Sequence, residues 1–267
     1  MFGDMWDPLS DDPGPREESR RRTPGVAKLF VGGRPCTGRT GMSLPSVAAV
    51  QFEPAIGEVE SNLERLAALC RDLPEAVELA VFPELCVTGY DLKTARSIAQ
   101  PVPGGMTDAV VGTAERADRH LVVGLPEREG EALFNSLVHV SPAGIEGTYR
   151  KQRLWGDEAE VFSPGGGPTV TRSPAGRVGS LICYDLNFPE VCLEYAEAGV
   201  DVLAVSSAWR TGFLTDWQLL LRARALDGTC YTVGSNHVGD QQGREHAGHS
   251  LFSGPTGEIL DECDETA

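Results

Sequence analysis

Short apolar runs recur along the chain from Ser46 onward, and stretches with helical spacing fill the gaps between them. Val47 to Gln51 reads as a buried strand. Between Asn62 and Arg71, Leu63, Leu66 and Leu69 fall on one side of a helix. Val77 to Phe82 predicts the next strand, which stops at Pro83-Glu84. His120 to Leu125 and Leu133 to Val140 predict two more. Val178 to Cys183 reads as a strand leading into a helix over Pro189 to Ala198. Val200 to Ser206 predicts a strand, Asp216 to Leu226 a helix and Cys230 to Ser235 a further strand. Tyr90 to Pro103 reads as loop. Such alternation implies α/β layering, with helices covering a sheet. No repeat of fixed period is present.

Residues 1–41 break this pattern. They are rich in Pro, Gly, Arg and Asp, with no apolar periodicity, and are expected to be a disordered extension or upstream sequence joined by a mis-assigned start, with Met42 the true beginning. Residues 42–267 are then the folded domain. The chain's 267 residues, 41% of them hydrophobic, suffice for one large α/β domain or two small ones. Seven basic and six acidic residues in 1–41 leave −17 of the formal −16 net charge on the remainder. Phosphates and acidic membrane surfaces would be repelled, so neither nucleic acid nor membrane is an expected partner. No apolar run has the length of a membrane span, and the N-terminus lacks the order of a signal peptide. A reducing cytoplasm is the expected location. The seven cysteines are odd in number and none is paired by C-x-x-C spacing, which argues against a disulfide framework or zinc site. Most are expected to be small buried hydrophobes.

Three polar positions directly follow apolar runs, where strand ends hold side chains rigidly at a mouth. Glu84 ends LAVFP. A partly buried carboxylate there would have a raised pKa suited to a general base, although taken alone it reads more readily as a helix N-cap or a strand-end carboxylate in an ordinary salt bridge. Lys151 lies in Tyr149-Arg150-Lys151-Gln152-Arg153, which would ordinarily be a solvated basic edge; turned inward, one ammonium could stabilise an oxyanion. Cys183 ends Val178-Gly179-Ser180-Leu181-Ile182 and precedes Tyr184-Asp185. A thiol at that place can be activated by a cation or helix start, or can be a buried structural cysteine. No Gly-x-Ser-x-Gly elbow points to a serine hydrolase. Gly165-Gly166-Gly167 lacks the Lys-Ser/Thr of a phosphate loop and reads as a turn. His246 and His249 are too few for a metal site and are expected at the surface or pocket edge. Trp155, Trp209 and Trp217 are expected to pack, with Trp209 also a candidate for the pocket wall.

The order FPEL, YRK and ICYDLNFPE resembles the nitrilase, or carbon–nitrogen hydrolase, superfamily. The likeness extends through FNSLVHVSPAG, GDEAEVFSPG, SSAW, RARALDG, GSNHVG and GHSLFSGPTGEIL, roughly Val47 to Leu260. Three separated blocks in order are far more specific than any one of them. The resemblance implies a four-layer α-β-β-α sandwich, dimeric or larger, with Glu84 as general base, Lys151 as oxyanion-stabilising cation, Cys183 as nucleophile and Glu158 as a second, orienting glutamate. It implies no cofactor and no metal. Tyr184, through its backbone N–H, together with Asn187 and Trp209, is expected to meet the substrate. Lys151 is also expected to keep Cys183 ionised. Departures are Arg153 in place of a common His, Asn187 in place of a common Arg, and Asp227-Gly228 in place of a common Glu-Asn pair. The sequence ends soon after GEIL, where relatives continue with another strand, so a truncated C-terminus is expected. Cys-Tyr-Asp suggests hydrolysis of small linear amides or N-carbamoyl compounds. Hydrolysis of a small nitrile is the enzymatic alternative, and a non-catalytic scaffold or binding subunit is the alternative from another class.

Overall fold

The computed structural model describes residues 46–266; the expected extension at 1–41 lies outside them. The described residues begin with β1 (Ser46–Ala49), α1 (Val59–Asp72) and β2 (Val77–Val81), with the two strands parallel. After α2 (Leu92–Ile98) and α3 (Gly105–Ala117), β3 (His120–Glu129) pairs parallel with β2. Two hairpins then add β4 (Ala132–Ser141) and β5 (Gly144–Arg150), completing a sheet ordered β1-β2-β3-β4-β5.

The second half repeats the plan. β6 (Val170–Ser173) and β7 (Gly176–Ile182) form a hairpin. α4 (Pro189–Ala198) leads to β8 (Val202–Ser207), and α5 (Leu214–Gly228) leads to β9 (Tyr231–Asn236); β7, β8 and β9 are parallel. A small hairpin, β10 (Val238–Gln241) with β11 (Arg244–Ala247), precedes β12 (Leu251–Ser253) and β13 (Ile259–Glu262). The second sheet runs β13-β12-β9-β8-β7-β6.

Strand side chains alternate between two faces, and here both faces are covered. Val47, Ala49, Leu79, Val81, Val122 and Leu137 share a core with residues of the second sheet. Their alternates Ala48, Val50, Ala80, Leu121, Val123 and Val138 pack on Leu66 and Leu69 of α1 and on Val110 and Ala114 of α3. α4 and α5 cover the outer face of the second sheet, where a Cβ on Gly179 would lie 2.5 Å from the Tyr195 ring and one on Gly234 2.5 Å from Leu221. The result is the four-layer α-β-β-α sandwich. Each large aliphatic side chain fully buried in it contributes about 1.5–3 kcal/mol.

The inter-sheet layer also carries hydroxyls. Ser206 Oγ donates to Phe82 O at 2.6 Å and Ser235 Oγ to Val50 O at 2.6 Å. His139 of β4 lies 2.5 Å from both Thr171 Oγ1 and Ser180 Oγ of the opposite sheet. These bonds fix the register of one sheet over the other.

Tyr90 to Pro103, read as loop, contains α2. Its N-cap Asp91 accepts from Thr94 N at 2.8 Å, and seven residues are too few to show a helical period. At the far end, Gln51 Nε2 donates to Asp264 O and Thr266 O, tying the tail to the exit of β1. Among the described residues no helix is long and apolar enough to cross a membrane.

Candidate active site

Glu84 follows β2 by three residues, and its backbone is tightly held. The segment Pro83–Leu85 crosses β3 so closely that a Cβ on Gly124 would lie 2.5 Å from both Pro83 O and Leu85 N. Leu85 has φ +45°, a left-handed conformation that costs a branched residue strain. The Glu84 side chain is fully buried. Its Oε1 accepts from Lys151 Nζ at 2.8 Å and Asn135 Nδ2 at 2.7 Å, and its Oε2 from Ala208 N at 3.0 Å.

Lys151 is the first residue after β5, and its amide donates to Asn135 O at 2.9 Å. Its buried Nζ bonds a second carboxylate, Glu158 Oε1, at 2.8 Å. Glu158 is held in turn by Tyr90 Oη at 2.7 Å and Trp155 N at 2.7 Å. Cys183 is the first residue after β7, with φ +48°, and opens a tight turn over Cys183–Asn187. The thiol interacts electrostatically with Glu84, Lys151 and Glu158. Residues far apart in sequence are thus gathered at adjoining strand ends of the two sheets.

One cation stands between two buried carboxylates. Burial opposes charge on Lys151, but Glu158 and Glu84 outweigh it and hold the ammonium well above its ordinary pKa. Burial pushes Glu84 up, and Glu158 adds to this, against the pull of Lys151. Burial, reinforced by Glu84, also pushes Cys183 up, while Lys151 and Ser207 act the other way. Lys151 thus acts toward the thiolate, in the expected direction, while burial and the carboxylates act against it. A dry site flanked by two carboxylates opposes charge on the thiol.

Asp185 couples the two halves. Its Oδ1 accepts from Gln152 N at 3.1 Å and Arg153 N at 2.7 Å, just beyond Lys151. Its Oδ2 accepts from Tyr149 Oη at 2.8 Å and from Ile182 N at 3.0 Å, just before Cys183.

The other expected positions are more dispersed. Tyr184 is half-buried, edge-on to Phe188 at 5.1 Å between centroids. Asn187 is exposed. Trp209 is buried, its Nε1 donating to Phe213 O at 2.8 Å and its ring 5.4 Å from Trp217, so the indole packs over α5. Arg153 is paired with Glu190 and lies over Phe188. His246, expected at the surface or pocket edge, is buried at 4% exposure because β11 folds it beneath β10 against His237. Sequence reasoning missed Asn135, Tyr90, Asp185 and His237 as members of this network. Their shared signal is a polar residue at or beside an otherwise apolar segment.

The family model for carbon–nitrogen hydrolases matches residues 46–267. A nitrilase of Pyrococcus abyssi is 34% identical over 82% of this chain and 85% of its own. A 2-oxoglutaramate amidase of Bacillus subtilis is 29% identical over 81% and 85%. A mutant amidase of Nesterenkonia sp., solved with acrylamide added to its active-site cysteine, superposes with a TM-score of 0.78 at 25% identity, covering 83% of this chain and 90% of that one. With the domain match running through every strand and helix described above, the chain belongs to the carbon–nitrogen hydrolase family.

Proposed function

We propose that the protein is a thiol hydrolase that cleaves a non-peptide C–N bond of a small linear amide or N-carbamoyl compound through a Cys183 thioester. The observation that carries this reading is the buried Lys151 ammonium, 2.8 Å from both Glu84 and Glu158, beside a cysteine in a left-handed strand-end turn. A lysine ammonium has three N–H donors. Two are taken by the carboxylates, which leaves the third for a substrate oxygen.

Glu84 takes the thiol proton as the sulfur attacks the carbonyl carbon. Lys151 and the Tyr184 N–H stabilise the oxyanion, a contribution of about 3 kcal/mol for one such donor. The C–N bond then breaks, Glu84 returns its proton to the departing nitrogen, and ammonia or an amine leaves behind an acyl thioester. Glu84 next takes a proton from water, whose oxygen attacks the thioester carbon. The C–S bond breaks, the sulfur recovers its proton and the acid departs. Glu84's raised pKa suits this two-way traffic. Glu158 holds Lys151, while Asn187 and Trp209 are assigned to the substrate side. No cofactor or metal takes part. We place the enzyme in the cytoplasm as a homodimer or larger assembly, with small molecules as its partners.

Hydrolysis of a small nitrile is kept as a second reading because of the Pyrococcus abyssi relative. The test is ammonia release from a panel of amides, N-carbamoyl compounds and nitriles, with mass spectrometry for an acyl adduct. The intact chain is expected to act on the amide or carbamoyl members, and Cys183→Ala to abolish turnover in a folded protein. Cys192→Ala, altering a thiol buried in α4, should keep most activity. Equal loss from both would overturn the nucleophile assignment, and inactivity on the whole panel would favour a scaffold or binding subunit.

A further inference from the structure

His237 stands at the exit of β9 with its backbone fixed on both sides. Its amide donates to Ser207 O at 3.1 Å and its carbonyl accepts from Gly248 N at 2.9 Å. The side chain is fully buried and puts Nε2 2.5 Å from the backbone carbonyl oxygen of Glu84. A carbonyl oxygen only accepts, so the proton of the neutral ring sits on Nε2 and Nδ1 carries a bare lone pair. That Nδ1 is buried without a hydrogen-bond partner, as is Nδ1 of His246, whose ring centroid lies 5.1 Å away. Burial pushes His237 down to about 3, so the ring stays neutral under ordinary conditions.

An apolar side chain of similar volume would fill this space without stranding a lone pair. What the imidazole adds is one hydrogen bond to one peptide. That peptide joins Glu84 to Leu85, whose φ of +45° stores strain that a peptide rotation would release. Gly124 presses on it from one side and His237 holds its oxygen from the other.

We infer that His237 is a positioning residue for Glu84. By holding the Glu84 carbonyl it keeps the strained peptide from turning and so sets the direction in which the carboxylate meets Lys151, Asn135 and the thiol. The inference rests on the reading of Glu84 as proton carrier. His237 touches no reacting atom and acts through the base alone.

The experiment compares His237→Met, which removes the donor, with His237→Gln, which offers an amide donor at a similar reach. Both are made in the full chain and assayed for kcat and KM on the best amide of the panel, with thermal unfolding alongside. His237→Met is expected to lower kcat 10- to 100-fold with KM within about threefold and melting little changed. His237→Gln should recover kcat to within about fivefold of the unmodified protein. Glu84→Gln should abolish turnover, and adding His237→Met to it should cause no further loss in any residual rate. Unchanged kcat in His237→Met, or equal loss in the Met and Gln variants, overturns the positioning role while leaving Glu84's role standing. Full turnover in Glu84→Gln overturns both together. If His237→Met does not fold, the outcome rests on His237→Gln, whose kcat must then stay within fivefold for the inference to stand.

Discussion

Asp185 Oδ1 accepts the backbone amide of Arg153 at 2.7 Å, although the two residues belong to segments leaving different sheets. The other oxygen holds Ile182 N, the residue before Cys183. One carboxylate thereby clamps the turn that carries the thiol to the loop that carries the ammonium. All four of its partners are donors, which suits an anion even though burial pushes its pKa up.

Asp185→Asn keeps the shape and reverses part of the hydrogen bonding, since its NH₂ would face donors. Leaving such buried groups mismatched costs about 2–4 kcal/mol. The expected outcome is a lower melting temperature together with a kcat loss of tenfold or more, read by thermal unfolding and ammonia release. A variant with unchanged melting and turnover would show that the clamp is dispensable.

Lys151→Met leaves Glu84 and Glu158 buried together without their cation. Removing one partner of a buried ion pair typically costs about 3–5 kcal/mol. In this variant Glu84 is raised further above its unfolded value, because burial and Glu158 act without the pull of Lys151, and the Asn135 hydrogen bond opposes them only in part. The sign follows. A group whose folded pKa is raised favours the fold below its unfolded pKa, and that favour is lost as pH rises through the folded value. Denaturant unfolding at pH 5 and pH 8 should find the deficit relative to the intact chain smaller at pH 5. A deficit that does not change with pH would contradict this account of the site's charge.

His139 makes the opposite case. Burial pushes it from 6.5 down to about 4 while it bridges Thr171 and Ser180 across the two sheets. The unfolded chain takes up the proton first, so the stabilisation is complete above pH 6.5 and is lost as pH falls through about 4. The difference corresponds to about 3 kcal/mol over that window. His237 and His246 are buried neutral in the same way and steepen the decline. Unfolding free energy should fall from pH 6.5 to pH 4, and His139→Gln should flatten that slope by about 1.4 kcal/mol per pH unit. The same slope in both proteins would remove His139 from the explanation.

Most of the frame is legible in local pattern. The apolar runs at Val77 to Phe82 and Val178 to Cys183 are local properties, and they marked strands whose bounds in the structure lie within two residues of those expected. The helix over Pro189 to Ala198 was equally legible, because a proline at its first turn and a glycine in left-handed conformation after it are local signals. The blocks around Glu84, Lys151 and Cys183 were readable as a resemblance in chain order. Their convergence was not, since 67 residues separate the first two and no local rule brings them together. Pairing of strands remote in sequence set Asn135 on the carboxylate of Glu84, and only the stacking of two sheets set Ala208 there and Asp185 between both halves. The charge of the site was likewise a tertiary matter: an ammonium favours thiolate in water, yet the burial that comes with four layers outweighs it at Cys183. His246 shows the same limit, for nothing in its neighbours along the chain says that a two-stranded hairpin will fold it inward against His237. Periodicity reports which side of an element is apolar, whereas the partner on that side is chosen by packing between segments remote in sequence.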